Sequence, residues 1–389
     1  MTQRYVIIGA GRQGTAAAYD LAVFGDAGTI RLLDVDRHVA ETAAERLNTL
    51  LGRRVASAAA IDAGNLPEVA RHLEGASALI SSVHFTFNLA VTRLAIEKKI
   101  HMTDFGGNTP VVREQLRLDS AAKAAGVTIV PDCGMGPGLN VSLGTYVMEL
   151  VEKPREVLIW DGGLPQKPEP PWNYVSTFHI GGLTNEYDGH AMFLRGGKVT
   201  PVPCFADVEL LDFPAPLGRL EAFVTSGGLS TAPWTFEGRL ERLENKTLRY
   251  PGHAAQFKAF SDLGLLGLEP IEVGNERVVP REVLHALLGP RITRPVVEDI
   301  CAMRVKGIGT TGGRRAEATL ELIDRFDEKT GFTAMQRLTG WHASIMAIAA
   351  VQGHIRPGVV SVENAMPGSR IVEECRRRGF QISESVEMG

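Results

Sequence analysis

Three side chains in this sequence are suited to moving a proton, and each stands beside a turn. Asp104 ends a short apolar run, Asp132 precedes a glycine-rich stretch, and His253 follows Pro251-Gly252. A tuned carboxylate or an imidazole exchanges protons near neutral pH, as a general acid or base must. The same residue types also stabilise turns and fill cores. We therefore treat Asp104, Asp132 and His253 as candidate catalytic residues whose surroundings decide their role.

The four cysteines, Cys133, Cys204, Cys301 and Cys375, are widely separated. None has a second cysteine two to four positions away, so the spacing predicts neither a metal site nor a redox pair. Isolated thiols suit a reducing compartment. Cys133 follows Asp132 directly, and we expect it to pack against a bound cofactor rather than act as a nucleophile.

A glycine-rich turn near the amino terminus indicates a dinucleotide site. The segment Gly9-Ala10-Gly11-Arg12-Gln13-Gly14 fits G-x-G-x-x-G, follows the apolar run 5–8 and opens an alanine-rich stretch. In such a strand–turn–helix the glycines allow the tight turn, the approach of the pyrophosphate and the packing of helix on strand. Free N–H groups at the helix start attract phosphate. Gly9, Gly11, Arg12, Gln13 and Gly14 are therefore candidate cofactor-binding residues.

Asp34 ends the second apolar run, about twenty residues after the last glycine, where a ribose-binding acid is expected. A carboxylate there accepts the ribose hydroxyls and repels a 2′-phosphate, so the sequence favours NAD over NADP. Arg12, Arg31 and Arg37 are the residues that would instead meet a phosphate. Asp62 is a candidate for the adenine, although a turn-forming role explains it equally well. The ends of the later strands add three further candidate cofactor contacts: Ser82, Val83 and Asn88.

The elements that must position these residues alternate along the first third of the chain. Short apolar runs at 5–8, 30–33, 55–60, 78–80, 101–103 and 127–130 are separated mostly by helical patterns. A parallel connection needs a crossover, so this alternation predicts a doubly wound parallel sheet, the Rossmann fold. After a glycine-rich joint at 131–138, β-branched runs at 157–160, 177–183, 222–225 and 316–323 predict a mixed-sheet α+β region. Residues 334–351 predict a helix.

Composition narrows the class of protein. The formal net charge is −4, and no lysine- or arginine-rich block is present, so no nucleic-acid partner is expected. No apolar run is long enough for a transmembrane helix, and the first residues resemble a strand rather than a signal peptide. We expect a cytoplasmic protein. With 389 residues, two domains are expected.

Several motifs together resemble those of the saccharopine dehydrogenase-like superfamily, and within it the lysine 6-dehydrogenases. After the amino-terminal glycine turn the motifs follow in order along the chain: Asp104-Phe105-Gly106-Gly107-Asn108, Pro131-Asp132-Cys133-Gly134, Gly162-Gly163-Leu164-Pro165-Gln166, Thr225-Ser226-Gly227-Gly228 and Arg249-Tyr250-Pro251-Gly252-His253. The resemblance extends to the helix containing Thr339-Gly340-Trp341-His342.

The resemblance implies NAD-dependent oxidative deamination of the ε-amino group of L-lysine. The product would be the 6-semialdehyde, cyclising to piperideine-6-carboxylate, with release of ammonia. It also implies a split Rossmann domain (1–135 and 336–389, its carboxy-terminal helices returning to it) and a domain for substrate binding and dimer contact (136–335). We expect a homodimer or higher homo-oligomer.

An amino-acid substrate needs partners for its carboxylate and its aliphatic stem. Arg249 is suited to a forked contact with the carboxylate, and the backbone of Gly227 and Gly228 to close approach. Aromatic residues complete the candidate substrate-binding set: Trp172, Tyr174, Tyr250 and Phe257. Each of the seven also fits a structural role. By physical argument alone, lysine and other diamino acids are not distinguished.

Two other functions fit the same sequence. One is an NADP-dependent reductive dehydrogenase of the saccharopine or carboxynorspermidine type, against which Asp34 argues. The other is a scaffold that binds NAD without catalysis, against which Asp104, Asp132 and His253 argue.

Overall fold

The computed structural model describes residues 2–389, which divide into two compact units. The first contains residues 2–146, Ser230–Ala232 and Gln336–Arg378. The second contains Val147–Leu229, Pro233–Met335 and Gly379–Gly389. Within residues 2–389 no helix combines the length and apolar character that crossing a membrane requires.

The strands of the described chain are β1 Gln3–Ile8, β2 Ala27–Asp34, β3 Ala56–Ala60, β4 Ala78–Ser81, β5 His101–Asp104, β6 Thr128–Val130, β7 Lys153–Pro165, β8 His190–Arg195, β9 Lys198–Pro203, β10 Glu209–Phe213, β11 Gly218–Val224, β12 Arg242–Arg249, β13 Ile271–Val273, β14 Glu276–Val278, β15 Asp299–Thr311, β16 Arg314–Arg325, β17 Gly358–Val359 and β18 Ile382–Met388. The α-helices are α1 Arg12–Phe24, α2 Arg37–Leu51, α3 Leu66–His72, α4 Asn88–Lys98, α5 Thr109–Leu116, α6 Asp119–Ala125, α7 Leu139–Glu149, α8 Ile180–Glu186, α9 Ala232–Phe236, α10 His253–Asp262, α11 Pro280–Ile292, α12 Ala334–Val351, α13 Val362–Ala365 and α14 Gly368–Arg377.

The first unit is built on a seven-stranded parallel sheet in the order β17-β6-β5-β4-β1-β2-β3. The central strands bury nearly every side chain, as expected when helices cover both faces. Because all strands are parallel, the loops after β1, β2, β4, β5 and β6 emerge at one edge. That edge is where doubly wound sheets bind ligands.

Local signals explain where the helices of this unit begin and end. Asp36 caps α2 by accepting the N–H of His38 at 2.8 Å, and left-handed Gly52 ends the helix. Asn108 caps α5 by accepting the N–H of Val111 at 3.1 Å, with a proline in the first turn. Short polar side chains suit these positions because they satisfy N–H groups that the helix leaves free.

The second unit contains a nine-stranded mixed sheet. Its main order is β10-β11-β12-β7-β15-β16-β18, with β8 paired to β12 and β9 to β8. Only β12 and β7 run parallel; the other pairs are antiparallel. An aromatic cluster containing Tyr174, Tyr187, Phe223 and Phe257 forms one of its cores.

The parallel sheet and the mixed sheet confirm the predicted fold class. Three details differ from the sequence prediction. Residues 136–146 and 230–232 were assigned to the second domain, but they belong to the first unit. Residues 177–183 were expected to form a strand, but α8 occupies most of this stretch because the ring of His179 accepts the N–H of Gly181 at 3.0 Å and caps a helix there. Residues 379–389 were assigned to the first domain, but β18 pairs with β16 and extends the second sheet.

Candidate active site

The glycine turn after β1 has the geometry that a phosphate-binding loop requires. A Cβ on Gly14 would lie 2.1 Å from the carbonyl oxygen of Gly9, so helix and strand pack too closely for any side chain there. A Cβ on Gly11 would meet nothing within 4 Å, which leaves open space beside the start of α1. Arg12 is exposed and Gln13 is half-buried at the same helix start.

Asp34 lies against this turn. Its Oδ2 accepts the N–H of Ala10 at 2.9 Å, and its Oδ1 accepts the N–H of Asp36 at 3.1 Å. These bonds fix the carboxylate beside the glycines and leave lone pairs for other donors. The tertiary structure thus brings together the acid and the turn that the sequence predicted as one site.

The remaining predicted cofactor residues divide into two groups. Ser82 and Val83 lie against Gly9. A Cβ placed on Gly9 would come within 2.5 Å of the backbone carbonyl oxygen of Ser82 and 3.1 Å of Val83 Cγ1. Asp62 forms a tight turn by accepting the N–H of Gly64 at 2.8 Å, and buried Asn88 accepts the hydroxyl of Ser81 at 2.8 Å. These contacts explain Asp62 and Asn88 structurally, and their contacts with a cofactor stay predictions.

Asp104 and Asp132 interlock at the ends of β5 and β6. Asp104 Oδ1 accepts the N–H groups of Gly106, at 2.8 Å, and Asp132, at 3.1 Å, while Oδ2 accepts the amide of Gln115 at 2.8 Å. Asp132 Oδ1 in turn accepts the N–H of Gly107 at 3.2 Å. A Cβ on Gly106 would lie 1.4 Å from Asp132 Oδ1, so only glycine permits this arrangement.

The two carboxyl groups differ in the hydrogen bonds and neighbouring charges that set their pKa values. Burial raises the pKa of Asp104 to about 6, although the three hydrogen bonds that it accepts counteract the rise. Burial raises the pKa of Asp132 to about 7; the neighbouring Asp104 charge adds to the rise, and the Ser230 hydroxyl counteracts it. Within residues 2–389, Asp132 Oδ2 is buried without a hydrogen bond of regular geometry. A carboxyl oxygen that is free in this way and titrates near neutrality is suited to act as a general base.

The raised pKa of Asp132 has a consequence for stability. Between the ordinary value of 3.8 and about 7, the native state retains a proton that the unfolded chain has lost. We expect Asp132 alone to lower the free energy of unfolding by about 1.4 kcal/mol per pH unit as pH rises through this window. Asp132→Asn should flatten the fall in urea titrations at several pH values.

Asp26→Asn is the matched control for this prediction. Asp26 also has a positive φ, 54° against 58° for Asp132, but it is exposed at the opposite end of the sheet. Its replacement should leave the pH dependence of stability as in the wild type. Equal slopes for wild type and Asp132→Asn would show that Asp132 titrates normally.

Cys133 is fully buried between these elements. Its Sγ bonds the carbonyl of Val130 at 3.2 Å, and burial, with the charges of Asp104 and Asp132, raises the pKa of the thiol. A neutral, buried thiol is a poor nucleophile, and the packing of Cys133 against a bound cofactor stays a prediction.

In the second unit, Arg249 is a buried cation surrounded by neutral groups, two of them tyrosine side chains. It is 3% exposed, its Nε donates to the hydroxyl of Tyr187 at 3.1 Å, and its Nη1 donates to the carbonyl of Leu248 at 2.9 Å. The guanidinium also lies 5.1 Å from the ring centre of Tyr174. Within residues 2–389 no carboxylate lies at ion-pair distance from it, although its charge interacts with the buried carboxyl group of Glu186. A buried cation left in this state favours an anionic ligand.

His253 contacts Tyr187, as Arg249 does, but its other contacts are those of a core residue. Its ring stacks on Phe257 at 4.1 Å, and its Nε2 lies 2.8 Å from the Tyr187 hydroxyl. Burial, with the charge of Arg249, keeps the pKa of His253 well below the usual 6.5. The imidazole is thus neutral at physiological pH. The catalytic role that the sequence suggested for His253 stays a prediction.

The other predicted substrate residues surround this cluster only in part. Tyr174 packs edge-on to His253, and Trp172 packs edge-on to Phe257. The Tyr250 hydroxyl donates to the carbonyl of Pro165 at 3.0 Å, a structural bond. Gly227 is exposed, whereas a Cβ on Gly228 would lie 2.0 Å from Asn245 Oδ1. The need for glycine at 228 is therefore explained by packing alone.

Sequence reasoning missed Gln115, Tyr187 and Glu186. Gln115 donates a hydrogen bond to Asp104, and the Tyr187 hydroxyl accepts one from Arg249. Burial raises the pKa of Glu186 to about 7, although the charge of Arg249 opposes this rise. None lies in a motif, and Gln115 faces its partner only because α5 packs beside β5. A buried polar residue on an otherwise apolar helix face was the available signal for Gln115.

Comparison with known proteins agrees with these features. Residues 134–380 match the model of the saccharopine dehydrogenase C-terminal domain, and residues 5–130 match that of the saccharopine dehydrogenase NADP binding domain. The parallel sheet and the glycine turn agree with the nucleotide-binding domain that the second of these family models describes. The chain belongs to the saccharopine dehydrogenase family.

Relatives of known function include saccharopine dehydrogenase [NADP(+), L-glutamate-forming] of Pyricularia oryzae, which is 29% identical over 285 residues, 70% of this chain and 60% of that protein. The mitochondrial alpha-aminoadipic semialdehyde synthase of Bos taurus is 27% identical over 202 residues, 48% of this chain and 21% of that protein. The chain therefore spans less than two thirds of either relative.

Among solved structures, apo saccharopine dehydrogenase (L-Glu forming) from Saccharomyces cerevisiae superposes with a TM-score of 0.78 at 18% identity, covering 99% of this chain and 100% of that one. Homospermidine synthase from Legionella pneumophila, in complex with NAD, gives a TM-score of 0.69 at 13% identity, covering 100% and 92%. At these identities the likeness shows a shared fold.

Proposed function

We propose that this protein oxidatively deaminates the ε-amino group of L-lysine with NAD. Lysine, NAD and water would give the 6-semialdehyde, NADH, ammonia and a proton, and the aldehyde would cyclise to piperideine-6-carboxylate. The observation that carries the proposal is the interlocked Asp104–Asp132 pair, with its free Asp132 oxygen at the ligand-binding edge of the parallel sheet.

The reaction needs a base twice. A bound nicotinamide supplies the acceptor for the hydride of the amine-bearing carbon. The amine must first be neutral, yet a free lysine amine has a pKa of ~10.4. We assign Asp132 Oδ2 to remove that proton, which it then releases to solvent, and later to take a proton from the water that attacks the iminium carbon. Asp104 holds the Asp132 backbone and disfavours its ionised form.

The carboxylate of an amino-acid substrate is assigned to Arg249. A buried guanidinium with two neutral partners and no ion pair gains most from an anion. A diamine without a carboxylate offers no such group. This assignment supports an amino acid rather than a simple diamine as substrate.

The choice of NAD rests on Asp34, because a carboxylate fixed beside the glycine turn would repel a 2′-phosphate. We expect Asp34→Ala to weaken NAD binding about tenfold, the cost of losing hydrogen bonds to a charged group, without weakening lysine binding. Titration of the cofactor, followed by protein fluorescence, measures this. Asp36→Asn, which keeps the helix cap two residues away, is the control. Unchanged NAD affinity in Asp34→Ala would place the ribose contact elsewhere.

A second candidate function is NADP-dependent saccharopine chemistry, as the name of the Pyricularia oryzae relative describes for that protein. Incubation of the protein with NAD or NADP and a panel of lysine, ornithine, saccharopine and diamines distinguishes the two, with reduced cofactor followed by absorbance. We expect a signal with lysine and NAD that increases toward alkaline pH. Turnover of saccharopine with NADP alone would overturn the proposal, and no signal with any amine would favour a non-catalytic scaffold.

A further inference from the structure

A buried polar pair in the first unit takes no part in the proposed chemistry. His342 on α12 and Ser142 on α7 are 1% and 2% exposed, and the imidazole Nε2 lies 3.1 Å from the serine Oγ. Two apolar side chains would fill this space at lower cost, because polar groups lose their hydration on burial. The pair therefore calls for an explanation beyond packing.

The helix that carries His342 also packs against the Asp132 loop. A Cβ on Gly134 would lie 3.9 Å from Cγ2 of Thr339, which precedes His342 by one turn of α12. Burial lowers the pKa of His342 to about 4, while the backbone of Cys133 and Gly134 opposes this change by stabilising the protonated ring. The Nδ1 atom is buried without a hydrogen bond of regular geometry. The Ser142–His342 contact thus joins α12, which packs on Gly134 through Thr339, to α7, whose first N–H group bonds the carbonyl of Gly134.

The Asp132 loop needs such support because its backbone is strained. Asp132 has φ 58°, a left-handed conformation that costs a non-glycine residue free energy and persists only where neighbours hold it. On one side, the side chain of Asp104 accepts the backbone N–H of Asp132, and the backbone carbonyl of Asp104 accepts the N–H of Cys133 at 2.7 Å. On the other side the Leu139 N–H bonds the carbonyl of Gly134 at 2.9 Å.

We propose that His342 and Ser142 are positioning residues: their contact clamps α12 to α7, the two helices that touch Gly134, and thereby holds the Asp132 loop and aims the Asp132 carboxylate. The pair does not touch substrate or cofactor. The effect on catalysis rests on the proposed function of Asp132, whereas the effect on loop order does not.

Hydrogen exchange of backbone amides tests the positioning directly, without activity. In His342→Phe, and more mildly in Ser142→Ala, amides of residues 132–139 should exchange about tenfold faster, as for the loss of a buried hydrogen bond. Ser344→Ala is the matched control: Ser344 lies two residues along α12, is equally buried, and bonds Asp20 instead. Its loop exchange should equal that of the wild type.

Kinetics provide the second test. His342→Phe should lower kcat by about 10–100-fold through misplacement of the base, shift the pH profile of kcat, and leave the affinity for NAD unchanged. Ser142→Ala should add little in the His342→Phe background, since the two side chains act together. Unchanged loop exchange in both single variants, or equal changes in Ser344→Ala, would overturn the proposal. If the wild type oxidises no amine while the variants loosen the loop, only the proposed function fails.

Discussion

Asp132→Asn is expected to lower kcat for lysine oxidation by about 10²–10⁴-fold, the usual effect of removing a general base. The amide cannot accept the proton that leaves the substrate ammonium, yet it has nearly the shape of the carboxyl group. Asparagine also tolerates the left-handed backbone at this position. The loss should therefore arise from chemistry rather than from folding.

The measurement is NADH formation across pH, together with NAD affinity and thermal unfolding. In the wild type the rate should rise through pH about 7 as Asp132 loses its proton, and this limb should disappear in Asp132→Asn. Asp26→Asn makes the same change at an exposed left-handed residue and should keep wild-type kinetics. A kcat near the wild-type value in Asp132→Asn would remove Asp132 from the mechanism.

The second large effect is expected at Arg249. Arg249→Met should raise the KM for lysine about 100-fold, since a charge-assisted forked contact with the substrate carboxylate is lost. For 1,5-diaminopentane, which has no carboxylate, Arg249→Met and the wild type should show equal rates of oxidation. The contrast between the two amines separates a lost substrate contact from general damage.

Arg304→Met is the control for this substitution. Arg304 lies on β15 of the same sheet, pairs with Glu321 and packs 4.1 Å from the ring centre of Phe213. Its loss removes a structural cation and should leave KM for lysine unchanged. If Arg249→Met impairs both amines equally, Arg249 serves the aromatic core around Tyr187 rather than the substrate.

The sequence predicted the first unit well because its signals are local. The alternation of apolar runs with helical patterns depends only on neighbouring residues, and it located the strands from β1 to β6 within a few residues. The glycine turn and Asp34 were predictable as a pair because their spacing follows from the length of one strand–helix–strand unit. Their contact through Ala10 agrees with that prediction.

The stretch 177–183 shows where local pattern failed. Thr177 and Ile180 favour a strand by type, but two glycines and the capping ring of His179 permit a helix. β18 was missed as part of the second sheet for a different reason. Its partner β16 ends more than fifty residues earlier, and such a distant pairing leaves no periodic signal between them.

By itself, the sequence determined the fold class, the family and the residues that meet at the carboxyl edge of the parallel sheet, because chain order and strand direction are enough to place them. Only the tertiary structure decided which acids are perturbed. Asp132 differs from Asp26 through burial, a second carboxylate and a loop held from both sides. Those conditions depend on residues distant in sequence, such as Gln115 and Ser230, which tertiary packing brings beside the two acids.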